Sequence, residues 1–86
     1  MSLYSDEFRK MVESANRYLA GEEDFMSLYY AIAEAHIAVQ RFGPDAAVAP
    51  IIREWRNMSD RCRNEFRLAP DPVTEEEFRD WLREQI

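Results

Sequence analysis

The chain predicts an all-α fold, a compact antiparallel four-helix bundle, on three observations. Apolar residues recur at helical spacing through four segments. Two glycines and four prolines in 86 residues are too little turn material for a series of hairpins. Those glycines and prolines, with Ser, Thr and Asp cap residues, stand at the edges of the periodic segments. The length makes one domain, 1–86, with one modest core. An apolar content of 47% with 13% aromatic is that of a folded chain.

The expected helices run over about 6–19, 25–42, 49–67 and 75–85. The first follows a cap at Ser5 and places Phe8, Met11, Val12, Ala15, Tyr18 and Leu19 on one face. Asp6–Lys10, Arg9–Glu13 and Glu13–Arg17 are spaced to pair along its outer face, and Gly21 stops it. Asp24 caps the second, whose stripe is Phe25, Leu28, Tyr29, Ile32, Ala35, His36 and Val39. Tyr30, Ala31, Ala33, Ile37 and Ala38 extend its apolar character to other faces, which marks it as the central helix. Gly43-Pro44 ends it.

The third helix starts at Asp45 or near Pro50, since proline is tolerated only in a first turn. The reading preferred is a short turn over Asp45–Val48 and a helix from about Ala49 to Arg67. Ile51, Ile52, Trp55, Met58, Ser59, Cys62 and Phe66 make its inner face. The proline-stiffened linker Leu68–Pro72 leads to the last helix, which carries an almost complete start code. Thr74 and Glu77 are spaced as a capping box, Val73 and Phe78 as its hydrophobic staple. Glu75, Glu76 and Glu77 sit where the helix dipole favours negative charge, and Phe78, Trp81, Leu82 and Ile86 form the docking stripe.

Little in the composition points to catalysis. One histidine, His36, and one cysteine, Cys62, fall on different helices, so no metal or cofactor is expected and no internal disulfide can form. A Cys62–His36 pair lacks an orienting third group and an oxyanion-hole loop. There is no glycine-rich phosphate loop. A non-enzymatic protein is expected. With no membrane-length apolar run, no signal-type segment and a single cysteine, a cytoplasmic location is expected as well.

Charge carries more information. The net charge of −6 disfavours general binding to nucleic acid or anionic membrane and favours a basic partner. Glu22–Gly43 holds four acids against one base, and Pro70–Ile86 six against two. Between them, Pro44–Ala69 holds five arginines against four acids. Arg53, Arg56, Arg61, Arg63 and Arg67 open an outsider reading, a nucleic-acid helix. The spacings Arg56–Asp60, Arg61–Glu65 and Asp60–Arg63 weigh against it by offering internal pairs. Both acidic clusters are accounted for in large part as ordinary complements of helix dipoles; the functional reading makes them a surface for a cationic protein, joined by any unburied Tyr29, Tyr30 or Trp81.

The passage RYLAGEEDF, Arg17–Phe25, resembles one near the start of small bacterial immunity proteins of the colicin D type. The ending DPVTEEEFRDWLREQI, Asp71–Ile86, looks like the closing helix of the same group. The resemblance implies an antiparallel helical bundle that neutralises a toxin nuclease by covering its basic active site with acidic side chains. It points to Glu75, Glu76, Glu77 and Asp80, then to Glu22, Glu23 and Asp24, as the residues in contact. The alternative is a structural or adaptor module, a homodimer that buries surplus aromatics of the second or fourth helix.

Overall fold

The computed structural model describes residues 5–42 and 48–86, apart from the side chains of Ser5, Phe42 and Phe66. Four helices follow in order: α1 (Ser5–Leu19), α2 (Phe25–Phe42), α3 (Ala49–Arg63) and α4 (Glu75–Gln85). A single 3₁₀ turn, Glu65–Arg67, lies between the last two, and no strand occurs among the described residues. The chain is therefore an all-α four-helix bundle. Its central helix is α2, which packs most extensively on α1 and α3, while α4 closes the bundle across α1 and α3.

The periodic stripes meet in one core. Met11, Ala15 and Tyr18 come from α1, Leu28, Ile32, Ala35, Ala38 and Val39 from α2, Ala49, Ile52 and Trp55 from α3, and Phe78 and Leu82 from α4. Phe78 is fully buried and meets Tyr18 at 6.1 Å, Phe25 at 5.5 Å and Trp81 at 5.8 Å between ring centroids. Trp81 in turn meets Trp55 edge-on at 6.0 Å. Every helix contributes at least one ring to this chain of contacts.

Helix ends follow local chemistry. Gly21, at φ +80°, closes α1: its N–H bonds Tyr18 O, and Glu22 N–H reaches back to Arg17 O. This crossed pair is the Schellman arrangement, in which the left-handed residue is normally glycine. Asp24 Oδ1 accepts the Ser27 N–H at 2.9 Å and so caps α2. Thr74 Oγ1 accepts from Glu77 N at 3.1 Å while Glu77 Oε1 accepts from Thr74 N at 3.2 Å, the reciprocal capping box. Val73 before it is buried in the same cluster as Phe78.

The structure corrects four expectations. Helix α3 ends at Arg63, not Arg67, because Asn64 turns left-handed (φ 46°, ψ 50°) and the chain continues as the 3₁₀ turn. Asparagine tolerates this conformation better than most residues, and here its Oδ1 accepts the Ala69 N–H at 3.0 Å. Two isoleucines expected on inner faces are exposed, Ile51 of α3 at 40% and Ile86 of the docking stripe at 51%. None of the three expected spacing-four pairs of α1 occurs among the ion pairs of the described residues; Arg9 approaches Asp6 and Arg17 turns to Glu23. On α3, Arg61 leaves Glu65 for Asp71, and Arg63 takes Glu65 at 3.5 Å instead of Asp60. The Gly43-Pro44 stop and residues 45–47 of the expected turn lie outside the described residues, as does the side chain of the expected cap Ser5.

Two substitutions test this account. Thr74→Ala is expected to lower stability by about 1 kcal/mol, the usual cost of a lost N-cap. Phe78→Ala is expected to cost about 3–5 kcal/mol, because it opens a cavity where rings of three helices meet. Urea unfolding followed by circular dichroism measures both, and equal effects would contradict the assignment of Phe78 as the keystone.

Candidate functional site

The two acidic clusters lie some fifty residues apart in sequence, yet the fold brings part of each to one groove. Its volume is about 500 Å³, and its walls are Tyr18, Gly21, Glu23, Asp24, Phe25, Met26, Glu75 and Arg79. The cause is local. The tight stop at Gly21 reverses the chain so that α2 starts beside the end of α1, and the buried Phe78 draws the start of α4 to the same place. Tyr18 and Phe25 stand edge-on at 6.4 Å, with Phe78 beneath both. The groove thus has an aromatic floor and carboxylates at its rim.

Each expected acidic residue has a definite place. Glu23 is half-buried, accepting from Ser14 Oγ and from Arg17 Nε. The Ser14 hydroxyl first, and the Arg17 guanidinium second, hold its carboxyl below the usual glutamate range. Asp24 is held below its ordinary value by the Ser27 backbone N–H it caps. Glu75 pairs with Arg79, Oε2 to Nη2 at 2.5 Å. These three line the groove. Glu22, Glu76, Glu77 and Asp80 do not: Glu22 and Glu76 are exposed, Glu77 completes the capping box, and Asp80 pairs with Arg83 at 2.9 Å. Of the three aromatics named for the surface, Tyr29 is buried, Trp81 is half-buried and only Tyr30 is exposed, at 57%.

Two groups of the site carry no functional signal in the sequence. Tyr18 was assigned to the core stripe, and it is 3% exposed, but its Oη finds no hydrogen-bond partner among the described residues. An unpaired buried hydroxyl costs about 1–3 kcal/mol. Glu75 and Arg79 stand beside it without completing a bond, and burial, reinforced by Glu75, pushes its hydroxyl up to about 12. Arg79 is the other: its Cζ sits 5.3 Å from the centre of the Tyr18 ring. The spacing-four relation of Glu75 to Arg79 was legible, but which ring the guanidinium would cover depends on how α1 and α4 cross.

The basic helix is organised differently. Arg56 and Arg63 stack on the Tyr29 ring, with Cζ at 5.1 and 4.7 Å from its centre. The Tyr29 hydroxyl donates to Asp60 Oδ1 at 2.8 Å, and Arg56 Nε donates to Asp60 Oδ2 at 3.2 Å. Arg61 holds the proline linker, donating from Nε to Asp71 O at 2.6 Å and from Nη2 to Asp71 Oδ2 at 2.7 Å. Tyr29, Arg56, Asp60, Arg61 and Arg63 border a cleft of about 380 Å³. Its arginines are spent on internal partners, which weighs against the nucleic-acid reading. Arg53 and Arg67 are exposed and do not border it.

Cys62 is half-buried, and burial pushes its thiol up to about 11, which keeps it a thiol at neutral pH. His36 is half-buried on α2. Among the described residues no group of three or more His, Cys, Asp or Glu side chains is placed to hold a metal ion. No helix is long and apolar enough to cross a membrane among these residues. Neither family models, nor curated proteins, nor solved structures yield a match to the chain.

The depressed carboxyls of Glu23 and Asp24 fix the sign of one pH dependence. The unfolded chain binds their protons more readily, so their contribution is full above the ordinary carboxylate range and is lost as pH falls through their folded values. Stability is expected to decline on acidification through and below that range, and Glu23→Gln is expected to flatten the decline. Thermal melts of both proteins from neutral to strongly acidic pH supply the comparison, and identical pH profiles would contradict it.

Proposed function

We propose that this chain is a non-enzymatic protein-binding domain whose acidic groove engages a basic surface of another protein. The observation that carries this reading is the convergence of Glu23, Asp24 and Glu75, from the starts of two different helices, around an aromatic floor. A groove that pairs charge with rings has the composition of interface hot spots, where aromatic anchors supply contact and charge supplies steering. The net charge of −6 adds a long-range attraction for a cationic partner.

The resemblance to immunity proteins of the colicin D type sharpens the proposal to an inhibitor that covers the basic active site of a toxin nuclease. The grooved acidic end of the bundle is the part of the molecule that suits such a role. Glu76 and Asp80, exposed on α4 beside it, would extend the contact. A second reading rests on a separate observation. Tyr30 is 57% and Ile37 53% exposed on α2, seven residues apart on one face. This favours a homodimer through the otherwise most apolar helix.

Affinity capture from the source cell tests the first reading. The wild-type chain is expected to retain a basic protein at low ionic strength and release it as salt rises. An Asp24→Lys/Glu75→Lys variant, shown by circular dichroism to be folded, is expected to retain none. Undiminished capture by that variant would exclude the groove. Sedimentation addresses the second reading: a clean monomer at micromolar concentration removes it, and a dimer dissolved by Ile37→Asp supports it.

A further inference from the structure

Helix-start chemistry accounts for Asp24 and Glu75, and the partners Ser14 and Arg17 account for Glu23, but nothing local accounts for the Tyr18 hydroxyl. A phenylalanine there would fill the same core volume and leave no buried polar atom unpaired. Tyr18 lines the groove but is only 3% exposed, and its buried oxygen, with Glu75 and Arg79 beside it, completes no hydrogen bond among the described residues. The polar groups beside it, Glu75 and Arg79, both line the groove, so a donor entering there comes within reach of the oxygen.

The groove also shows what kind of donor it accepts. The guanidinium of Arg79 lies over the Tyr18 ring at 5.3 Å and binds Glu75 at 2.5 Å. An aromatic face and a carboxylate together make a guanidinium site, with cation–π attraction on one side and charge-assisted hydrogen bonds on the other. Arg79 fills it from the rim: its side chain is 44% exposed and it leaves the Tyr18 oxygen unserved. Asp24, across the groove, has one carboxylate oxygen engaged by the Ser27 N–H.

We propose that the groove is a receptor for one arginine side chain of a basic partner protein, which displaces Arg79 from Glu75 and donates to the Tyr18 oxygen. This rests on the acidic-groove reading and narrows it to a residue type. Arginine fits better than lysine because its planar fork presents five donors, enough to address Glu75, Asp24 and the Tyr18 oxygen together. Its flat face also stacks on a ring such as Phe25, which an ammonium does not. A volume of about 500 Å³ admits the guanidinium with its methylene stem. Arg79 acts as a resident stand-in, swinging out on a long and partly exposed side chain.

The test is an NMR titration at low ionic strength with a tetra-arginine peptide, with tetra-lysine in parallel. The expected result is a shift of the Tyr18 and Phe25 ring signals and of the Arg79 Nε–H, with the lysine peptide bound several-fold more weakly. Tyr18→Phe is expected to melt at the same or a higher temperature than the wild type, yet to bind tetra-arginine about tenfold more weakly through loss of a charge-assisted hydrogen bond. Arg79→Gln, which frees Glu75, is expected to bind it more tightly. Equal affinity of Tyr18→Phe and wild type, or equal affinity for the two peptides, would overturn the arginine receptor. If Asp24→Asn/Glu75→Gln loses the peptide while Tyr18→Phe does not, the receptor fails and the acidic groove stands. If that double variant binds as the wild type does, both fall.

Discussion

The packing of Phe78 against Tyr18 and Phe25 is the contact on which the rest of the molecule depends. Helix α4 is only eleven residues long, too short to persist on its own in water. It exists because its capping box starts it and because Phe78 and Leu82, both fully buried, dock it. The ring contacts then run onward through Trp81 to Trp55, so one aromatic cluster ties the last helix to the other three. Aromatic pairs at these separations add to area burial an orientation preference, which fixes how the helices cross. The placement of the groove follows from that crossing.

The same constraint accounts for the charge at the groove. A helix start favours acids: α4 carries Glu75, Glu76 and Glu77 in its first turn, and α2 is preceded by Glu22, Glu23 and its cap Asp24. By itself this makes two scattered patches. Once Phe25 and Phe78 pack edge-on at 5.5 Å, the two starts must lie side by side, and their acids become one rim. Part of that charge is absorbed locally, Glu23 by Ser14 and Arg17 and Glu75 by Arg79. What is left for a partner is therefore a geometry more than a net charge: carboxylates held at fixed positions around rings.

Much of this was legible in the sequence because it is local. The capping box at Thr74, the Asp24 cap and the Gly21 stop each depend on a few neighbouring residues, and each forms as its spacing predicts. The end of α3 was not legible in the same way, since a left-handed asparagine at position 64 carries no signal comparable to glycine. The ion pairs of α1 and α3 went elsewhere because tertiary partners compete with spacing-four neighbours. Arg17 finds Glu23 across the turn, and Arg61 finds Asp71 across the linker. The groove itself joins residues 18–26 to residues 75–79, and nothing in either stretch names the other.

The arginines of α3 show why a charge pattern read along a chain is a weak guide to a surface. Five arginines on one segment look like a basic stripe. In the folded molecule Arg56 and Arg63 lie on the Tyr29 ring, with Asp60 fastening both Tyr29 and Arg56, and Arg61 is occupied with Asp71. Guanidinium groups placed this way serve as packing surface as much as charge, covering the α2–α3 seam with their flat faces. Arg56, Arg61 and Arg63 each have a carboxylate partner, so the stripe is internally paired. The described acids of the two helix starts meet at one end of the molecule, while α3 keeps four arginines against two acids. On the proposed reading, a cationic partner would find its carboxylates at the end that has the rings.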